Sequence, residues 1–128
     1  MDEKIKFEME FPIQASPSLL YQYISTPSGL GEWFADNINS RGEIFTFIWG
    51  ESEEEAKLLT KKSGERIKMR WLDDEDTPYF FEMRIQVDEI TKDVSLMIID
   101  HAEEDEVDES KMLWENMIAD LKQILGSK

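Results

Sequence analysis

The segment SPSLLYQYISTPSGLGEWFAD, residues 16–36, constrains the fold of this chain more than any other. It carries a helix-start signal twice, as Ser16-Pro17 and as Thr26-Pro27. A serine or threonine at the N-cap accepts a hydrogen bond from one of the unpaired N–H groups of the first turn. A proline in that turn gives up only an N–H that has no partner inside the helix. Two short helices in series follow. In the first, Leu19, Leu20, Tyr23 and Ile24 form the stripe expected to be buried. The second has Leu30, Trp33 and Phe34 on its apolar side, and Gly29 and Gly31 limit it to one or two turns.

Ahead of this segment, Lys4 to Phe11 alternates strictly. Ile5, Phe7, Met9 and Phe11 face one way, and Lys4, Lys6, Glu8 and Glu10 the other. A period of two marks a half-buried strand. Pro12 has no N–H to give to a ladder and marks the strand's end or an edge position. From Glu43 onward the pattern is β-like. Phe45, Phe47 and Trp49 alternate with Ile44, Thr46 and Ile48, so both faces of this strand are apolar enough to be covered. A strand through Ala56 to Lys62 leads to a turn at Ser63-Gly64. Glu65 to Leu72 alternates again, with Ile67, Met69 and Trp71 inward and Arg66, Lys68 and Arg70 outward. The acidic run Asp73 to Asp76, with Pro78, reads as the next turn. Tyr79, Phe81, Met83, Ile85 and Val87 then face inward, opposite Glu82, Arg84 and Gln86, before a turn within Asp88 to Asp93. Val94 to Ile99 is almost continuously apolar, so its parity stays open and a central strand covered on both faces fits it.

The chain then closes on a helix expected from about Asp108 to Leu125. Its Leu113, Trp114, Met117, Ile118, Leu121, Ile124 and Leu125 fall within an arc of roughly 140° at 100° per residue. Asp108 or Ser110 can cap its start, Gly126 follows its end, and Asp108 and Glu109 suit the positive end of its dipole. The order is strand, two short helices, about six strands in a meander, and one long helix. An antiparallel sheet of six or seven strands must bury its apolar face, and one amphipathic helix is available to cover it. The expected fold is therefore α+β, a curved sheet wrapped around the C-terminal helix.

A chain of 128 residues is expected to form one domain spanning 1–128, large enough to bury a core without staples. It has no cysteine, so disulfides and thiolate chemistry are out. The opening MDEKIKFEME lacks the apolar core of a signal peptide, and no run approaches the ~20 apolar residues of a membrane span. The expectation is a soluble, cytoplasmic protein. Its net charge of −15, from 29 acidic and 14 basic residues, disfavours nucleic acid and anionic membranes as partners. About half of the acids sit in Glu51 to Glu55, Asp73 to Asp76 and Asp100 to Glu109, read as solvated loops and strand ends.

These segments resemble the START-like superfamily with its helix-grip fold, and within it the branch related to the C-terminal domain of the Hsp90 ATPase activator. The resemblance rests on three segments. The first is FPIQASPSLLYQYISTPSGLGEWFAD, with its Pro27-Ser28-Gly29-Leu30-Gly31-Glu32-Trp33-Phe34 turn. The second is LMIIDHAEEDE, with Asp100-His101 where the branch has a Thr-His-type ending, and the third is the closing helix with an early tryptophan, Trp114. It covers nearly the whole chain. It implies a fold that often encloses a cavity, and it says little about function, because these motifs are mostly packing.

The leading functional expectation is a non-enzymatic module that binds a small apolar or amphipathic ligand between sheet and C-terminal helix. The expected lining is Trp33, Phe34, Phe45, Phe47, Trp49, Met69, Trp71, Phe81, Met83, Trp114, Met117 and Leu121. The competing reading for each is a filled core, with the indole N–H groups satisfied locally. The alternative function is a protein-interaction or regulatory module resembling chaperone activators, whose acidic surface would meet a basic partner. A cyclase- or hydrolase-like enzyme ranks third, since no inward acid–base pair is evident and Tyr79 and His101 are the only candidates. His101 is the single histidine, and the resemblance implies a structural role for it at a strand end. The Glu103 to Glu109 run lacks the spacing of an EF-hand loop, so neither a metal nor any other cofactor is expected. Two-faced apolar strands leave both a monomer and a homodimer open.

Overall fold

The first and last strands of the chain lie side by side, and this pairing sets the architecture. The computed structural model describes residues 3–126. Its strands are β1 (Lys4–Ile13), β2 (Asn37–Arg41), β3 (Ile44–Trp49), β4 (Ser52–Lys62), β5 (Arg66–Trp71), β6 (Phe81–Val87) and β7 (Val94–Glu103). Helices α1 (Pro17–Ser25) and α2 (Pro27–Leu30) separate β1 from β2, and α3 (Val107–Leu125) closes the chain. The seven strands form one curved antiparallel sheet in the order β1-β7-β6-β5-β4-β3-β2. The β1–β7 ladder runs from Lys4 opposite Glu103 to Ile13 opposite Val94. No helix is long and apolar enough to cross a membrane among the described residues.

The caps form as the sequence dictates. The Ser16 hydroxyl accepts the Leu19 N–H at 3.2 Å and the Thr26 hydroxyl accepts the Gly29 N–H at 3.0 Å. At the far end, Gly126 takes the left-handed conformation (φ 73°) and donates its N–H to the carbonyls of Gln123 and Lys122, an ending that favours glycine. The start of α3 differs from expectation. Its N-cap is Glu106, with no side-chain cap, so neither Asp108 nor Ser110 fills that role. A 3₁₀ turn over Glu104–Glu106 leads directly into the helix.

The alternating strands bury the expected parity. Phe7, Phe45, Phe47, Ile67, Met69, Phe81, Met83 and Ile85 are buried, and β7 joins them with Leu96, Ile98 and Ala102. Ile5 and Val87 share this parity but are exposed near the ends of their strands, and Leu19 is exposed on α1. Two strand boundaries also move. β4 begins at Ser52, because Glu53–Glu55 pair with Thr46–Ile48, and β7 continues past Ile99 to Glu103 because β1 pairs along its whole length. β2 was not expected. It is the polar edge strand NINSR, with only Ile38 buried, and its hairpin to β3 turns at Gly42 (φ 61°).

Candidate ligand cleft

Gly29 lets α2 lie directly on α1. A Cβ there would stand 2.6 Å from the Tyr23 Cα and closer still to the Gln22 carbonyl oxygen. From this contact the chain runs through Gly31–Asp36, and three hydrogen bonds fix that segment. The Trp33 indole donates to the Tyr23 carbonyl at 2.9 Å, and the Trp49 indole donates to the Phe34 carbonyl at 2.9 Å. The Asp36 carboxylate accepts the Gly50 N–H at 2.7 Å. Phe34 is thereby held at the centre of an aromatic cluster. Its ring centroid lies 5.1 Å from Phe47, 5.5 Å from Trp33, 5.7 Å from Trp114 and 5.9 Å from Phe81.

The apolar arc of α3 faces this segment and divides in two. Trp114, Ile118 and Leu121 are buried in the core, with Leu125 packed against it. On the helical wheel these occupy the arc's far part, from roughly 80° to 140° when Leu113 is set at zero. Leu113, Ile124 and Met117 occupy the first ~40°. Leu113 is 59% exposed and Ile124 39% exposed. These residues line an open cleft of about 640 Å³ between α3 and the Gly31–Asp36 segment. Trp33, Phe34 and Trp49 form the opposite wall, and Glu32, Asp36 and Asp120 put carboxylates along it.

The expected site residues therefore fall into three places. Trp33, Phe34, Trp49 and Met117 line the cleft, Trp33 and Phe34 while also buried in the core. Phe45, Phe47, Met69, Phe81, Met83, Trp114 and Leu121 belong to the packed core. Trp71 packs edge-on to Phe47 and tilted against Phe81, and it borders a separate depression of about 350 Å³ with Glu53–Glu55, Leu72 and Asp73. Leu113 and Ile124 were not expected at the site. The signal for them was the width of the helix's apolar arc. Another depression, of about 680 Å³, lies at the far end of the sheet between Pro12, Ile13 and the β6–β7 turn, and no aromatic side chain lines it.

Beside the cleft, Asp100 is half-buried on the inner face of β7, opposite Phe7. Its carboxylate accepts the Trp114 indole N–H at 2.8 Å and the His101 backbone N–H at 2.7 Å. Burial pushes its pKa above the ordinary carboxylate value, and the two hydrogen bonds offset only part of that rise. The contact ties α3 to β7 through the early tryptophan. His101 points to the other face of the sheet. Its Nδ1 lies 2.8 Å from the Phe80 carbonyl, and its ring packs against Tyr79 and Phe80. Tyr79 lies just before β6, and its hydroxyl accepts the Lys4 N–H at 3.0 Å. Tyr79 and His101 thus tie the start of β6 to β1 and β7. Near the start of α3, Glu103, Asp105 and Glu106 bring carboxylate oxygens within 4.8 Å of one another.

The START-like superfamily domain, as a family model, matches residues 1–127. The chain belongs to this superfamily. The protein BfR322 from Bacteroides fragilis, solved by solution NMR, is 34% identical over 97% of this chain and 92% of its own, with a TM-score of 0.68. The Aha1 dimer from Colwellia psychrerythraea is 17% identical over 94% and 96%, with a TM-score of 0.77. A conserved protein of unknown function from Enterococcus faecalis is 19% identical over 97% and 72%, with a TM-score of 0.73. No curated protein matches the chain. A START-like fold supports a ligand-binding or regulatory module in general.

Proposed function

We propose that the chain is a non-enzymatic binding module, and that the cleft between α3 and the Gly31–Asp36 segment takes a small apolar or amphipathic ligand. One observation carries this reading. The exposed Leu113 and Ile124, with the half-buried Met117, turn apolar surface toward a wall of Trp33, Phe34 and Trp49. Apolar walls with few polar groups are the usual make-up of a ligand pocket, and methionine adapts to ligand shape. The carboxylates of Glu32, Asp36 and Asp120 refine the class. They repel anionic head groups and favour a neutral or cationic ligand. Native mass spectrometry of the purified protein, followed by organic extraction, tests the proposal. A neutral or cationic apolar molecule released from the wild type and absent from Leu113→Glu supports it. The same yield from both proteins sinks it.

A second reading, a regulatory protein-interaction module, draws on the likeness to Aha1, an Hsp90 ATPase activator whose solved form is a dimer. On this reading the acidic surface contacts a basic partner, and binding weakens with salt. Capture of a defined basic partner that is unchanged between low and high salt counts against that surface. Sedimentation of the purified chain separates monomer from homodimer.

A further inference from the structure

The outer face of the sheet carries a concentration of cations that the chain's net charge of −15 conceals. The strand registers place Lys62, Arg66 and Arg84 in one row across β4, β5 and β6. The next row is Thr60, Lys68 and Glu82, and in the third Lys57 stands opposite Arg70. Among the described residues, Glu82 is the one acid in these rows. Like charges directly opposite in a ladder repel, so the first row needs an anion beside it.

Glu65 pairs with Lys62 at 3.0 Å at one end of that row, and Glu82 supplies one anion for the two arginines. Glu82 is 4% exposed although it lies on the outer face. Its Oε2 accepts from Arg84 Nη2 at 2.9 Å and from Arg84 Nε at 3.1 Å, while Arg66 Nη1 stands off at 3.8 Å. Arg66 Nε is buried with no hydrogen-bond partner among the described residues. The Arg66–Arg84 pair therefore sets two cations against the one carboxylate of Glu82. Beside it the Lys68 ammonium lies 4.0 Å from the Phe80 ring centroid, and the half-buried Met97 and Ile99 on β7 add apolar surface.

We infer that this patch docks a short acidic segment of a partner protein, with one carboxylate bridging Arg66 and Arg84 and another reaching Lys68. Its size argues for a short segment. Strand spacing makes the distance from β4 to β6 about 10 Å. Acids border it, Glu65 beside Lys62, Glu8 and Glu10 on β1 beyond Ile99 and Met97, and Glu53 and Glu55 toward the other end of β4. A duplex or a plane of anionic head groups would meet those acids, whereas two or three carboxylates would not. At physiological salt the screening length is about 8 Å, so a segment seated on the patch feels its cations more than the distant acids. The surface lies on the opposite side of the sheet from the ligand cleft, so the two proposals stand or fall separately.

Fluorescence anisotropy of a labelled octaglutamate peptide against the full chain tests the inference. The wild type is expected to bind, with affinity falling from about 0.05 M to about 0.5 M salt. The R66Q/R84Q variant is expected to bind about tenfold more weakly or worse. Removing both arginines strips Glu82 of its partners, so K62Q/K68Q, which leaves that pair intact, decides if R66Q/R84Q does not fold. Leu113→Glu is expected to bind the peptide as the wild type does. No peptide binding by the wild type overturns the inference, and so does equal binding by the folded variants. Binding of phosphatidylserine vesicles or duplex DNA as tight as that of the peptide overturns it as well.

Discussion

The two edges of the α3 apolar arc have the same chemistry and opposite fates. Trp114, Ile118 and Leu121 sit against β1 and β7 and the aromatic cluster, and almost no solvent reaches them. Leu113 and Ile124, one step round the same helix, are open to solvent in the cleft. Hydrophobicity alone does not assign a residue to the core. What decides is whether a second element is there to meet it, and on the cleft side that element, the Gly31–Asp36 segment, stands off. The core edge should therefore control stability, and the cleft edge should control binding.

The largest effect that sharpens this contrast is expected from Trp114→Ala. It removes a buried indole and leaves the half-buried Asp100 carboxylate without one of its two donors. A loss of about 3–5 kcal/mol in urea unfolding is expected. A loss below ~1 kcal/mol would break the comparison, because the packed edge would then behave like the open one. Gly29→Ala comes next, at about 1–3 kcal/mol, since its methyl must push α2 off the α1 backbone. The same shift moves the far wall of the cleft, so ligand yield should fall with stability. The smallest stability effect is expected from Leu113→Ala, within about 0.5 kcal/mol. That variant should still lose ligand, and a variant of unchanged stability and unchanged ligand yield would erase the distinction between the edges.

Asp100 gives the core edge a pH dependence. Its folded pKa is raised by burial, so the native state holds this proton more tightly than the unfolded chain does. Stability contributed by this group is then present at low pH and falls as pH rises from the ordinary carboxylate value through the raised one. Asp100→Asn does not titrate, so its stability relative to the wild type should improve as pH rises through that window. The variant gives up one of two acceptor oxygens, which shifts the whole curve without changing that trend. Parallel curves for the two proteins in urea unfolding would show that Asp100 is not the group involved.

Much of this fold was legible because period-two alternation needs only one buried face. Lys4–Phe11 and Glu65–Leu72 declare their inner residues in this way, and the doubled Ser/Thr-Pro signal fixes both short helices. β2 was illegible because NINSR has one apolar side chain, and an edge strand of that kind is held by its neighbour's ladder. The core list was readable, but its division between packed core and cleft was not, since that depends on the distance between α3 and the Gly31–Asp36 segment. The Trp114–Asp100 bond joins residues on different elements, and Glu82 is buried by arginines on its own and the next strand. Neither contact leaves a local pattern in the sequence.

The β1–β7 ladder has a consequence for the route by which the chain folds. Neighbouring strands from β2 to β7 can zip together through short connections, whereas Lys4 must find Glu103 across nearly the whole described chain. Closing so long a loop costs entropy before any ladder bond repays it, and such non-local contacts slow folding. During synthesis β1 emerges first and waits longest for its partner, with Phe7, Met9 and Phe11 uncovered in the interval. The charged alternation of Lys4, Lys6, Glu8 and Glu10 is well suited to keeping that waiting strand from pairing with another chain.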